Sequence, residues 1–151
     1  MRVSKWFVCV LLPAACIAGN PALADNCSGR GTTVILSSET LEVAKGHSVT
    51  FYASRSSVES ENALYNLVGE CGGYALAMPD GKVKEAGVCA RKGKEGDSWT
   101  VEYAKEPGAE RGTWKMVDGT GAFLERKASG WWQYGINDGK TYLYTWGGTC
   151  E

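Results

Sequence analysis

LYNLVGECGGYALAMPDGKVKEAGVCA, residues 64–90, holds two short apolar runs on either side of Pro79-Asp80-Gly81, and the pairing of those runs decides the fold. Proline suits the first position of a type I turn, and glycine suits the left-handed residue that follows it in a three-residue hairpin loop. Met78 then stands opposite Lys82. Extending that register places Cys71 opposite Cys89 in a non-hydrogen-bonded pair, where Cα atoms lie about 4.5 Å apart. That separation is within reach of a disulfide. Gly69, Gly72 and Gly73 interrupt the first run, as glycines do at bulges and barrel corners, so residues 64–78 read as one bent strand or two short ones.

Outward from this hairpin the chain repeats the same grammar. Short β-branched and aromatic runs alternate with glycine, asparagine and aspartate. Strands are expected at 32–36, at 41–44 and 49–53 around a Lys45-Gly46-His47 turn, and at 83–90, 99–104, 113–117, 131–136 and 141–146. The polar stretch 54–62 reads as a loop, as does Lys92-Gly93-Lys94-Glu95-Gly96. No ten-residue stretch has helical periodicity. Some eight to ten strands joined by short turns make an all-β protein, a closed antiparallel barrel or a sandwich. At Asn137-Asp138-Gly139 a three-residue loop would pair Tyr134 with Tyr142 and Trp132 with Tyr144. A two-residue loop would pair Tyr134 with Leu143 instead. The first register is preferred because it gathers the aromatics on one face.

The amino terminus carries an export pattern. Arg2 and Lys5 precede an apolar run, and Ala22-Leu23-Ala24 supplies the small-x-small cleavage signature, so residues 1–24 are expected to be a signal peptide removed after Ala24. The apolar run is about a dozen residues long, against roughly 20 for a membrane-spanning helix. Ala14-Ala15-Cys16 is similar to the end of a lipobox, but Pro13 stands where an aliphatic residue is needed, which argues against lipidation at Cys16. Removal of the leader from the 151-residue chain leaves residues 25–151, one domain's worth, destined for the periplasm or the exterior.

Arg2 and Lys5 are the leader's only charges, so the mature part keeps 14 Lys+Arg against 17 Asp+Glu, a formal charge of −3. The basic residues are scattered among acidic neighbours, which excludes a nucleic-acid footprint. Cys9 and Cys16 leave with the leader. Of the four cysteines that remain, Cys71 and Cys89 pair within their hairpin. Cys27 and Cys150 flank the domain, where they would staple the seam of an even-stranded barrel.

His47 is the one histidine and falls in a turn. That leaves a histidine triad or a multi-histidine metal site unsupported. The cysteines lack C-x-x-C spacing, so no metal and no cofactor is expected. Glu70, Asp97 and Glu102 stand at or within strands and are candidate acid–base groups, because a carboxyl desolvated in an apolar cavity gains a raised pKa. Trp99, Tyr103, Trp114, Trp132, Tyr134, Tyr142 and Tyr144, with Trp131 and Trp146, are either core or the lining of a site for a small hydrophobic or aromatic molecule. An outer-membrane barrel would need a lipid-facing apolar band about 25 Å tall. Lys84, Glu85, Glu102 and Lys115 interrupt it.

Gly112-Thr113-Trp114-Lys115, then Gly119-Thr120-Gly121-Ala122-Phe123, then Ser129-Gly130, resembles the allene oxide cyclase and dirigent-like barrels. In those families a strand enters a Gly-Thr-Gly-x-Phe turn and a small-Gly step opens the next strand. Glycines at 119 and 121 permit a tight turn, and Phe123 is placed to plug a barrel end. The resemblance implies a small, calycin-like or allene-oxide-cyclase-like barrel of about eight strands with a central cavity. The families it resembles either cyclise a hydrophobic substrate or steer the coupling of phenolic radicals. Three functions follow as expectations: binding of a small amphipathic molecule, a cyclase or isomerase activity, or a protein–protein inhibitor role through a surface loop at 54–62. No catalytic role is carried over to a particular residue, and the pattern does not speak to oligomeric state.

Overall fold

The computed structural model describes residues 26–151. The leader, its cleavage point, Cys9 and Cys16 lie outside the described residues. Eight strands follow one another: β1 (Cys27–Ala44), β2 (His47–Ser60), β3 (Leu67–Ala77), β4 (Val83–Lys92), β5 (Ser98–Lys105), β6 (Gly112–Gly119), β7 (Ala128–Asn137) and β8 (Thr141–Cys150). Each pairs antiparallel with its neighbours in the chain, and β1 closes on β8 as a barrel. Single 3-10 turns, Ala63–Tyr65 and Gly121–Phe123, sit between β2 and β3 and between β6 and β7.

The β3–β4 hairpin keeps the register read from Pro79-Asp80-Gly81. Met78 N–H donates to the Lys82 carbonyl, and Gly81 has φ 79°, the left-handed conformation that glycine adopts without penalty. Cys71 stands opposite Cys89, with Cα atoms 4.0 Å apart, and the two are bridged. Cys27 and Cys150 are bridged as well, Cα to Cα 5.9 Å, across the β1–β8 seam.

Three expectations are corrected. Residues 54–60 are not a loop but the second half of β2, in which Ser54, Ser56 and Val58 are 1 %, 0 % and 8 % exposed. Their polarity misled because this wall faces a polar interior, and the surface loop behind the inhibitor expectation is a barrel strand. The segments 32–36 and 41–44 belong to one 18-residue strand that passes through a bulge between Ile35 and Ser37. In the last hairpin Tyr134 pairs with Tyr144 and Trp132 with Trp146, two residues from the expected register. The turn lies further along the chain, closed by Asp138 N–H donating to the Thr141 carbonyl, a bulge between Tyr134 and Asn137 takes back one residue, and the net shift of two leaves every side chain on its face.

Strand parity sets what fills the barrel. On β4 the odd positions Val83, Glu85, Cys89 and Arg91 face inward, and on β5 so do Trp99, Val101, Tyr103 and Lys105. Glycines make room for the larger rings. A Cβ at Gly31 would collide with the Tyr144 ring, one at Gly112 with the Trp132 indole, and one at Gly73 or Gly87 with the Tyr103 hydroxyl. Gly31–Tyr144, Gly112–Trp132 and Gly87–Tyr103 are register partners on neighbouring strands, and such small-against-large pairing on the inner face is how narrow barrels are packed.

The two barrel ends differ. One end is crossed by the β2–β3, β4–β5 and β6–β7 connections and by the seam disulfide. Tyr65 and Phe123 from the 3-10 turns pack there on Trp99, with ring centroids 5.3 and 5.2 Å from it, and Phe123 is 1 % exposed. Leu67, Met116 and Val58 complete this dry plug. Phe123 thus closes the barrel end, as the Gly-Thr-Gly-x-Phe pattern implied. The opposite end carries only hairpin turns.

Candidate ligand cavity

Above the plug the barrel encloses a cavity of about 700 Å³ that reaches the hairpin-turn end, where Gly81, Gly108 and Gly139 line its mouth. Its walls place two polar groups at different depths. Toward the mouth, the Glu85 carboxylate accepts hydrogen bonds at Oε1 from the Tyr52 and Tyr134 hydroxyls, both 2.8 Å, and Tyr52 shares a further 2.8 Å bond with Tyr103. Lys105 covers this cluster from above, its Nζ 5.5 Å from the Tyr134 ring centroid and 5.8 Å from that of Trp132.

Nearer the plug, the Arg91 guanidinium donates through Nη2 to Ser56 Oγ at 3.2 Å and Tyr144 O–H at 3.4 Å. Ser56 Oγ and the Tyr144 hydroxyl lie 3.1 Å apart, and Thr33 donates to Ser56 at 3.3 Å. Neither Glu85 nor Arg91 forms an ion pair among the described residues.

The phenols are tuned by this setting. Burial first, then the charge of Glu85, pushes Tyr52 and Tyr134 far above their ordinary value. Tyr103 is pushed up from 10.0 to about 12, mainly by burial; its hydrogen bond with Tyr52 and the positive charge of Arg91 pull it down, and Glu85 pushes it up. Tyr142, closer to solvent, is raised by burial and by Glu85. All four are therefore neutral donors near pH 7, and a carboxylate ringed by neutral phenols can hold or pass a proton.

The aromatic candidates Trp99, Tyr103, Trp114, Trp132, Tyr134, Tyr142 and Tyr144 all contribute to the cavity wall. Trp99, Trp114 and Trp146 form its floor against the plug. Trp131 instead faces outward, stacked under Arg111 at 4.2 Å. The carboxylate candidates are not brought together. Glu70 lies on the outer face in an exposed pair with Arg55 at 3.5 Å. Glu102 is exposed, because Trp99, Val101 and Tyr103 take the inward parity of β5. Asp97 lies in the β4–β5 connection against Gly121, where a Cβ on that glycine would meet its carboxylate.

Glu85, Arg91, Tyr52, Ser54 and Ser56 were not singled out from sequence. A signal for the first two existed: once Cys89 faces inward, every odd residue of that strand does too. For the same reason Glu85 does not interrupt the outer face, where Lys84 pairs with Glu106 at 3.5 Å.

A closed eight-stranded barrel with an aromatic, internally charged cavity is the class that fold and site define. No family model matches the chain, and no curated protein does. Among solved structures it is similar to the pterocarpan synthase dirigent protein GePTS1, with a TM-score of 0.52 and 13% identity over 82% of this chain and 84% of that one. The fold is thus that of a dirigent-like barrel, in agreement with the pattern at residues 112–130.

Proposed function

We propose that the protein binds a small amphipathic molecule with an apolar, ring-bearing body inside the barrel. The observation that carries this is the cavity itself: about 700 Å³, open at one end and walled by aromatic rings with a few convergent polar groups. Small-molecule sites are built this way and in this size range. A barrel serving only as a scaffold has no need of a carboxylate and a guanidinium turned inward. The two disulfides fit an oxidising compartment, and with the leader pattern at residues 1–24 they support an exported protein.

Native mass spectrometry of the protein purified from its natural host tests the reading. A retained small molecule of one discrete mass is expected. Protein that carries none, but comes with a stoichiometric protein partner, would overturn it.

One observation favours a second reading, an isomerase or cyclase. Glu85, held by two neutral phenols, has the makings of a general acid–base inside an apolar cavity. The retained molecule, offered to fresh protein, would then convert to a species of equal mass and different chromatographic retention. Glu85→Gln would abolish that conversion without abolishing binding.

A further inference from the structure

We infer that the cavity takes its ligand anion first: an organic monoanion, carboxylate or sulfonate, on a ring-bearing body, with the anionic group seated on Arg91, Ser54 and Ser56 at the cavity floor. This rests on the binding function proposed above and names the ligand's charge and orientation.

Three observations meet at the floor. Arg91 brings a permanent positive charge inside the barrel, and no carboxylate of the described residues pairs with it. Its Nε is buried without a hydrogen-bond partner, and the partners of its Nη2 are two hydroxyls. Ser54, 1 % exposed and lining the same wall, also has a buried hydroxyl with no partner.

A guanidinium offers five donors and accepts nothing, and buried polar groups in native proteins are almost always satisfied. The floor thus has donors and positive charge in excess, and what would balance both is a planar oxyanion, which a guanidinium meets with two parallel hydrogen bonds.

The obvious internal partner is kept away. Glu85 lies on the same strand as Arg91, six residues toward the mouth with Gly87 and Cys89 between them on the inward face, roughly 20 Å of strand at the usual rise. Its Oε1 is taken by Tyr52 and Tyr134. The two charges are held apart along the cavity axis, so a ligand entering at the mouth passes Lys105 and the Glu85 carboxylate before it reaches the Arg91 guanidinium. A molecule with its anion at the leading end and a hydroxyl at the trailing end satisfies both.

The experiment is displacement of a neutral fluorescent probe, N-phenyl-naphthylamine, by naphthoate and by its methyl ester, which share a ring body and differ in charge. In the native protein naphthoate should displace the probe at a roughly ten- to hundredfold lower concentration than the ester, the range of a charge-assisted hydrogen bond. Arg91→Met should erase that preference while probe and ester affinities hold. Ser54→Ala should narrow it if Arg91→Met does not fold, and the acid–ester comparison in the native protein decides the preference for an anion without any variant. Equal or weaker displacement by naphthoate overturns the anion-first inference and leaves the cavity reading standing. Failure of the probe and both naphthalenes to bind overturns the cavity reading, and this inference with it.

Discussion

The two ends of the barrel are drawn from the same eight strands yet are built to opposite ends. At the plugged end Tyr65, Phe123, Leu67 and Trp99 exclude water, and the seam disulfide ties first strand to last. At the mouth four hairpin turns each carry a glycine at positive φ (Gly46, Gly81, Gly108, Gly139), and three of these glycines, Gly81, Gly108 and Gly139, line the opening. The wall below them holds the Glu85–tyrosine cluster instead of a core. Buried apolar contacts are concentrated where the barrel is filled, and inward-facing titratable groups where it is not. Substitutions at the plug should therefore cost stability, and substitutions in the wall should change titration and binding at little cost to the fold.

The largest effect should come from opening the seam. Cys27 and Cys150 are separated by 123 residues and Cys71 and Cys89 by 18. In the chain-entropy account the longer closed loop contributes about 5 kcal/mol and the shorter about 3. Paired serine substitutions at 27 and 150 should thus lower the denaturation midpoint further than those at 71 and 89, both read by urea unfolding. Equal losses would mean the seam is held by the plug rather than by the bridge. Phe123→Ala comes next. It removes a ring that is 1 % exposed and leaves a void among Tyr65, Trp99 and Gly119, for about 3–4 kcal/mol. Probe binding in the cavity above should survive wherever the variant is folded.

That contrast between ends also governs what could be read from sequence. The hairpin at 64–90 was legible because its turn chemistry sets the register, and register carries every side chain's face with it. Residues 54–60 were not, because the usual cue for a half-buried strand is an apolar face. Here the buried positions are Ser54 and Ser56, whose hydroxyls look solvated until the barrel closes around Arg91. The last hairpin was misplaced by two residues because the turn closes at Asp138 and Thr141, beyond the Asn137-Asp138-Gly139 signal, and a bulge that leaves no mark in composition offsets only part of that. Its aromatic face was still assigned correctly, since period-two alternation is blind to a shift of two. The plug was visible in the Gly-Thr-Gly-x-Phe pattern, whereas the inward carboxylate required following parity from Cys89 to Glu85.

The wall's tuning makes a prediction about pH. The Tyr103 phenol keeps its proton up to about pH 12 in the folded barrel, mainly through burial, but loses it near 10.0 when unfolded. Between these values the folded state binds more protons. The stabilisation is therefore complete below pH 10 and lost as pH rises through about 12, by about 2–3 kcal/mol for a shift of that size. Tyr103→Phe should flatten this fall, measured as unfolding free energy against pH. Glu85→Gln should change stability by less, about 1 kcal/mol, because the amide can still accept from Tyr52 and Tyr134. It should also bring both phenols down, seen as earlier tyrosinate absorbance in an alkaline titration, since the carboxylate charge is the second cause of their elevation. Phenols that titrate unchanged in Glu85→Gln would show that burial alone sets them.

The smallest effect belongs to Glu70, the other strand carboxylate of the β3–β4 hairpin. Glu70 and Glu85 lie on adjacent strands of one sheet, but their parities differ, and parity alone puts one in water and the other in the cavity. The partner of Glu70 is Arg55 at 3.5 Å, and the two side chains are 72% and 68% exposed. An ion pair so placed loses most of its attraction to the dielectric of water and to the freedom of two long side chains, leaving about 0.5 kcal/mol or less. Glu70→Gln should accordingly leave unfolding, phenol titration and probe binding unchanged within error. A loss of binding on that substitution would mean that the outer face of β3, and not the barrel interior, carries the site, and the contrast between plug and mouth would lose its functional meaning.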